Sequence, residues 1–533
     1  MSDSKKQNYL HGAAILAFGV VIMKILGAIY KIPLGNILGD VGYGYFNTAY
    51  NIYNVFLTLA TAGLPVALSR MISEANTLGR PMQARRTFRV ALVTFAAIGV
   101  VGTAVLAIFH VEFAVGMDSP RSAQSILAVS PSVMLCCVLS AYRGYCQGNG
   151  NMKPTTVGQV LEVFAKVIVG FVLAYVLTAK GLGLPISSAG AIFGVSVGSL
   201  VALVYMFFYK MRNYPNVAVS EPDVPESSGR IFKNLMRIGI PITLGASVMS
   251  LFTLIDNKLV LSQLQNSAGF SEMVSETLWG VYSKTMTLYN LPAAFITPLT
   301  ISVVPSIAAC VAAKKGLESC EIGESCVRIA SIICLPMGVG LSVLSYPIVN
   351  VVYPSSHEAG ASLLMLLGIA SVFVCWALIS NAVLQAHGNE RYPVYSMIVG
   401  GLVKIGVNWV LVGNPEIGII GAPIGTICCY FVMCLMNFVF LRRCMERKPS
   451  LKRMILRPLI SSLVMGAAAW AVYGLASIVL GEGWTRMALA MVCGVGVAVV
   501  VYLVLIIVTK AVTLEDMKLI PKGEKLAKLL HIK

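Results

Sequence analysis

Five lysines stand inside long apolar stretches of this chain: Lys24, Lys166, Lys258, Lys284 and Lys404. Lys31 ends the first of these stretches, and Glu162 and Asp256 are the acidic residues read at the same depth. A charge at the centre of a bilayer costs about 2.5–3.5 kcal/mol on insertion scales, so such residues usually face a protein interior or a wet cavity. Five ammonium groups against two carboxylates make an interior that favours an anion. A binder of organic cations needs the opposite balance.

Spacing sorts these residues further. Lys24 and Lys31 are seven apart, so they share one helix face at a separation of about 10 Å along the axis. Lys31 also reads as a side chain snorkelling to the interface. Glu162 precedes Lys166 by four, the favourable order for an intrahelical ion pair. Asp256 and Lys258 are two apart and face different ways on a regular helix, so Asp256 is expected to find a partner elsewhere, with Lys284 and Lys24 as candidates. Lys404 has Asn408 one turn on. Arg70 ends the second stretch, as a cytoplasmic-mouth residue or as a topology marker. Tyr43, Tyr45, Tyr50, Tyr53, Tyr282 and Tyr289, the last followed by Asn290, divide between an interfacial belt and sugar contacts. The five His are scattered, and the 13 Cys form no CxxC pair, so no metal site, disulfide frame or cofactor is expected. Lipid-phosphate enzyme chemistry would need clustered Asp or His.

The elements that carry these residues follow from composition. The chain has 533 residues, 57% hydrophobic and only 12% charged, against about 25% charged in a soluble domain. A soluble or disordered protein is excluded, and continuous apolar runs argue against a β-barrel. The reading is an all-α polytopic membrane protein with 14 spans at about 12–32, 44–69, 90–111, 122–142, 155–179, 185–209, 238–262, 277–311, 326–350, 361–384, 393–413, 417–441, 458–480 and 484–509. Lys24 and the length of the first run make it a span and not a cleaved leader. The net charge of +17 follows from topology: 31 of the 40 basic residues fall in alternate loops and the two tails. Both termini are therefore expected in the cytoplasm, and the chain in the plasma membrane.

An internal repeat organises the spans. Tyr53-Asn54 recurs as Tyr289-Asn290, and Gly44 as Gly280, at an offset of 236. The block from Gln147 through Gly150 to Lys153 returns as Gln385 through Gly388 to Arg391, and Lys166 as Lys404, at an offset of 238. The offset covers six spans, so the repeat is parallel. Two pseudo-symmetric six-helix lobes are expected, at 1–215 and 238–445, joined by a polar cytoplasmic linker at 216–237. Two further helices at 446–510 and a basic cytoplasmic tail at 511–533 complete the chain. Two such lobes suit an alternating-access carrier.

The stretch from Met23 to Leu34 (MKILGAIYKIPL), the run from Gly42 through Gly63-Leu64-Pro65 to Arg70, and the two Gln-to-basic blocks resemble the stage V sporulation protein B-like polysaccharide exporters. These belong to the multidrug/oligosaccharidyl-lipid/polysaccharide exporter superfamily, which includes the bacterial lipid II flippases. The resemblance covers essentially the whole chain. It implies a cationic central cavity and a groove beside the last two helices for a polyprenyl tail. It also implies that basic residues of the first, second and eighth spans, here Lys24, Lys31, Arg70 and Lys284, hold a pyrophosphate, with Lys258 added from its depth. Asp256, Glu162, Lys166, Lys404 and Asn290 would support them. This chain has Lys where the flippases often carry Arg, a point charge in place of a fork. The implied activity is translocation of undecaprenyl-pyrophosphate-linked lipid II to the outer leaflet, with no enzymatic step. The rival cargoes are another lipid-linked polysaccharide unit or, with cation coupling, a drug. Partners are the lipid-linked glycan and the bilayer, with no nucleic acid; a single chain is expected to suffice. Coupling to the membrane potential, Na+ or H+ stays open.

Overall fold

The structure, a computed structural model, describes residues 3–213, 223–444 and 452–509, with side chains at Met23, Leu26 and Gly27 and from Ile29 on, apart from several between 301 and 312 and those of Lys452 and Arg453. The basic tail, the first part of the linker and the Lys24 side chain lie outside the described residues. Every regular element among the described residues is helical. Where no water reaches the backbone, a helix satisfies each N–H and C=O within its own segment.

The first half runs as α1 (Asp3–Thr61), α2 (Leu64–Thr77), α3 (Pro81–Ile108), α4 (His110–Gly116), α5 (Ala123–Gly148), α6 (Lys153–Ala179), α7 (Leu184–Asn213) and α8 (Ser228–Ser262). The remainder is α9 (Glu272–Tyr289), α10 (Leu291–Ala312), α11 (Gly316–Val343), α12 (Ser345–Val352), α13 (Ala359–Ala386), α14 (Arg391–Val412), α15 (Gly421–Cys444), α16 (Arg457–Leu480) and α17 (Trp484–Val508). Twelve helices among the described residues are long and apolar enough to cross a membrane. The sequence reading of 14 differs at two places. The expected span at 12–32 lies mostly outside the residues with described side chains, α1 and α2 together form the span Ile29–Thr77, and α10 contributes the shorter apolar helix Leu291–Thr300.

The chain divides into two compact units, Met1–Gln265 with Phe270–Gly280, and Asn266–Gly269 with Val281–Lys533. In the first, α1 bends at Gly39, whose φ of 67° suits a residue without Cβ. α6 and α7 cross at small residues: a Cβ on Gly194 would stand 2.6 Å from the Gly170 nitrogen, the close approach that membrane helices use in place of a hydrophobic drive. Asp223, at the end of the linker, caps the start of α3 by accepting from the Gln83 amide at 2.9 Å, and Arg80 lies 3.6 Å from the same carboxylate. The negative group compensates the positive helix end. α8, read from the repeat as the opening span of the second lobe, packs on α1, α2 and α3 of the first unit.

In the second unit, α11 packs between α10, α13 and α16. The Tyr502 hydroxyl of α17 donates to the Ile332 carbonyl of α11 at 2.7 Å, and the Trp484 indole donates to the Val351 carbonyl of α12 at 3.2 Å. These bonds tie the last two helices to the unit while their outer faces, with Trp470, Leu475 and Ile478, stay exposed.

The repeat has a structural meaning at the ends of α5 and α13. Gly150 (φ 76°) and Gly388 (φ 77°) both take the left-handed conformation. Gly150 donates to the Gln147 carbonyl and Asn151 to the Cys146 carbonyl; Gly388 donates to Gln385 and Asn389 to Leu384. That is a Schellman cap written twice. The two Gln-to-basic blocks are therefore helix stops.

Candidate functional site

In the first unit, α1 and α6 bring Lys31, Tyr50 and Lys166 together. The Lys31 ammonium lies 5.5 Å from the Tyr50 ring centroid and that of Lys166 lies 5.7 Å from it. Each contact is of the cation–π kind, worth about 0.5–2 kcal/mol depending on desolvation. Among the described residues neither lysine forms a salt bridge. Lys166 was expected to pair with Glu162, but Glu162 takes Arg143 of α5 at 2.5 Å and accepts from the Ser199 hydroxyl of α7 at 3.0 Å. Arg143, half-enclosed between helices, outcompetes the intrahelical partner because its position aims it at the carboxylate. The chain of contacts continues from Ser199 to Cys136 at 3.3 Å and from Cys136 to the Tyr53 hydroxyl at 3.2 Å. The repeated Tyr53 is thus a packing anchor. With Glu162 held by Arg143, the two lysines lie against Tyr50 with no bonded carboxylate among the described residues.

Lys258 is placed differently from the expectation. Its ammonium bonds Asp118 at 2.5 Å, with the lysine side chain 40% exposed, so its charge is spent within the protein. Asp256 is buried in α8. Arg70 is exposed on α2. Lys24 lies on α1, its side chain outside the described residues.

The second unit holds its own lysines among aromatics. Lys284 of α9 is 2% exposed, a depth at which an unsatisfied ammonium would be very costly, and its Nζ lies 5.3 Å from the Tyr353 ring centroid. The Tyr282 hydroxyl is 3.3 Å from that of Thr426. Tyr430 of α15 lies beside both Tyr289 and Lys404. The repeat pair Lys166 and Lys404 thus each neighbour a tyrosine in its own unit. Asn290 is exposed and donates to the Met286 carbonyl of its own helix at 2.6 Å, capping α9. Asn408 is fully buried against Gly425.

Three residues escaped the sequence reading. By hydropathy Arg143 and Lys210 belong with the basic residues of the alternate loops, yet Arg143 holds Glu162, and Lys210 stands 3.8 Å over the Phe88 ring centroid. Glu276 fell one residue outside the eighth span and was not counted among the deep carboxylates; it is 0% exposed. No pattern around Arg143 or Lys210 signals their partners, which lie on other helices.

Residues 9–311 match the family described as polysaccharide biosynthesis protein. Three relatives from Bacillus subtilis (strain 168) align along nearly the whole chain. An uncharacterised membrane protein, YabM, is 26% identical over 100% of this chain and 99% of its own length. The lipid II flippase MurJ is 24% identical over 93% and 94%. Stage V sporulation protein B is 24% identical over 97% and 98%. Among solved structures, a lipid II flippase MurJ in an inward closed conformation superposes with a TM-score of 0.68, at 13% identity over 92% of this chain and 98% of that one. An inward-facing multidrug MATE transporter superposes at 0.65, with 16% identity over 81% and 97%.

Proposed function

We infer that this chain, which belongs to the polysaccharide biosynthesis protein family, is a flippase for an undecaprenyl-pyrophosphate-linked glycan. Its coarse character is that of a multi-pass membrane transporter of the multidrug/oligosaccharidyl-lipid/polysaccharide exporter superfamily, and not of an enzyme. The observation that carries the cargo is the pair of ammonium groups of Lys31 and Lys166 on one tyrosine ring, with no carboxylate bonded to either among the described residues. Two weakly balanced ammoniums suit a pyrophosphate. Lys284, against Tyr353, offers a further cation. The exposed apolar faces of α16 and α17 suit a polyprenyl tail. Both termini are assigned to the cytoplasmic side, which reporter fusions at either end would check.

Lipid II is the favoured head group, since two full-length relatives are a lipid II flippase and a sporulation protein. A different lipid-linked polysaccharide unit is the second reading, favoured by the family's description. A drug exporter fits less well: Glu162 and Asp118 are already taken by Arg143 and Lys258, and the remaining buried carboxyl of Glu276 is enclosed at a helix crossing. The membrane potential supports the direction: one charge crossing 100 mV is worth about 2.3 kcal/mol, so an anionic head group moves outward downhill.

The test is complementation of a bacterium depleted of its lipid II flippase, with Lys24→Ala, Lys31→Ala, Lys166→Ala and Lys284→Ala alongside. Rescue by the unaltered chain, weakened in the lysine variants, is expected. Rescue only of a strain lacking a capsule-unit flippase would select the second reading; rescue of neither would overturn both.

A further inference from the structure

Glu276 opens a question that the lysine clusters do not answer. It lies in the first turns of α9, is 0% exposed, and neither carboxylate oxygen makes a hydrogen bond among the described residues. The Ser119 hydroxyl, buried beside it, is the polar group that acts on the carboxyl most directly. The carboxyl is wedged where α1 and α9 cross at two glycines. A Cβ on Gly44 would stand 3.0 Å from Glu276 Oε2 and 2.9 Å from its backbone oxygen. A Cβ on Gly280 would stand 1.8 Å from the Asp40 carbonyl oxygen. Gly44 and Gly280 are the repeat pair at offset 236, and all these residues lie in the first unit.

The charged groups nearby are accounted for. On α9 itself, Glu272 lies 3.8 Å from Arg121 of the turn before α5. Arg121 also stands beside the buried Tyr45 hydroxyl of α1, which itself faces Glu276 and Glu272. Asp118, next to Ser119, is held by Lys258 of α8. Asp40 of α1 presents its backbone carbonyl to the crossing and has side-chain interactions of its own. No cation is therefore bonded to Glu276 among the described residues, and an ionised carboxylate buried without partners is very costly. A metal cation would need several oxygens converging on one point; among the described residues no cluster of three or more His, Cys, Asp or Glu side chains could hold one.

We propose that Glu276 is a proton-binding site, and that its protonation state sets how tightly α1 and α9 cross at Gly44 and Gly280. As a neutral acid it fits the dry crossing. When the proton leaves to bulk water, the carboxylate draws water in, and two helices in backbone contact must separate to admit it. The site is independent of the cargo, and its test uses none.

The experiment is infrared difference spectroscopy on the purified full-length protein in lipid, stepping from neutral to alkaline buffer. Exposed carboxylates are already ionised at the start of that range, so a carboxylic-acid C=O band that bleaches reports a buried acid. The expected result is such a band in the unaltered protein and none in Glu276→Gln. Hydrogen exchange in the peptides containing Gly44 and Gly280, corrected for the intrinsic pH effect, is expected to lose protection about tenfold over the same step, and to become flat in Glu276→Gln. Should that variant fail to fold, Ser119→Ala is expected to move the midpoint of the bleach. A band that persists in Glu276→Gln, a midpoint unmoved by Ser119→Ala, or protection that follows Na+ in place of pH overturns the proposal.

Discussion

Glu162 and Lys258 show how an ionisable residue at membrane depth can have a structural employment. Each is bonded to a partner on another element, Arg143 and Asp118 respectively. Lys31 and Lys166 form no ion pair among the described residues and lie against the ring of Tyr50. A stability difference follows. Glu162→Ala strips the partner from an Arg143 side chain that is 14% exposed, and an orphaned buried polar group costs about 1–3 kcal/mol. The variant is expected to unfold at a lower temperature in detergent, whereas Lys166→Met is expected to unfold at or above the temperature of the unaltered protein. Residue depth was legible in the sequence because apolar runs mark the membrane. Partners were not, because Arg143 and Glu162 sit on different helices, and helical spacing speaks only for residues on the same one.

At the scale of elements, the repeat was legible as matched letters, and the structure supplies their physics. Gly150 and Gly388 stop α5 and α13 with the same pair of backbone bonds. An alanine in the left-handed conformation costs about 1–2 kcal/mol, so Gly150→Ala and Gly388→Ala are each expected to lower thermal stability by that order. Gly63→Ala is expected to be worse, since its Cβ would stand 2.1 Å from the Gly239 carbonyl oxygen, where α2 meets α8. Gly245→Ala is the control: nothing lies within 4 Å of its Cβ, and helix propensity alone favours alanine by about 1 kcal/mol. A thermal scan of the four variants checks the order. Helix ends were less legible than helix cores. Hydropathy reads 277–311 as one span, while Asn290 and Pro292 divide it into α9 and α10, and moving its start by a single residue would have revealed Glu276.

For the molecule as a whole, sequence and structure agree on an all-helical membrane protein among the described residues, and the open quantity is the chemistry of its cargo. The account rests on lysines that are free to meet a pyrophosphate, so the most direct measurement is binding of undecaprenyl pyrophosphate to the purified protein, against a neutral polyprenol and an organic cation. The pyrophosphate is predicted to bind, the other two weakly. Lys31→Ala and Lys166→Ala are each predicted to weaken it about tenfold, a change of about 1.4 kcal/mol, while Lys258→Ala, whose ammonium already belongs to Asp118, leaves it within about twofold. Equal affinity for the neutral polyprenol, preference for the organic cation, or an affinity indifferent to Lys31 and Lys166 would contradict the account.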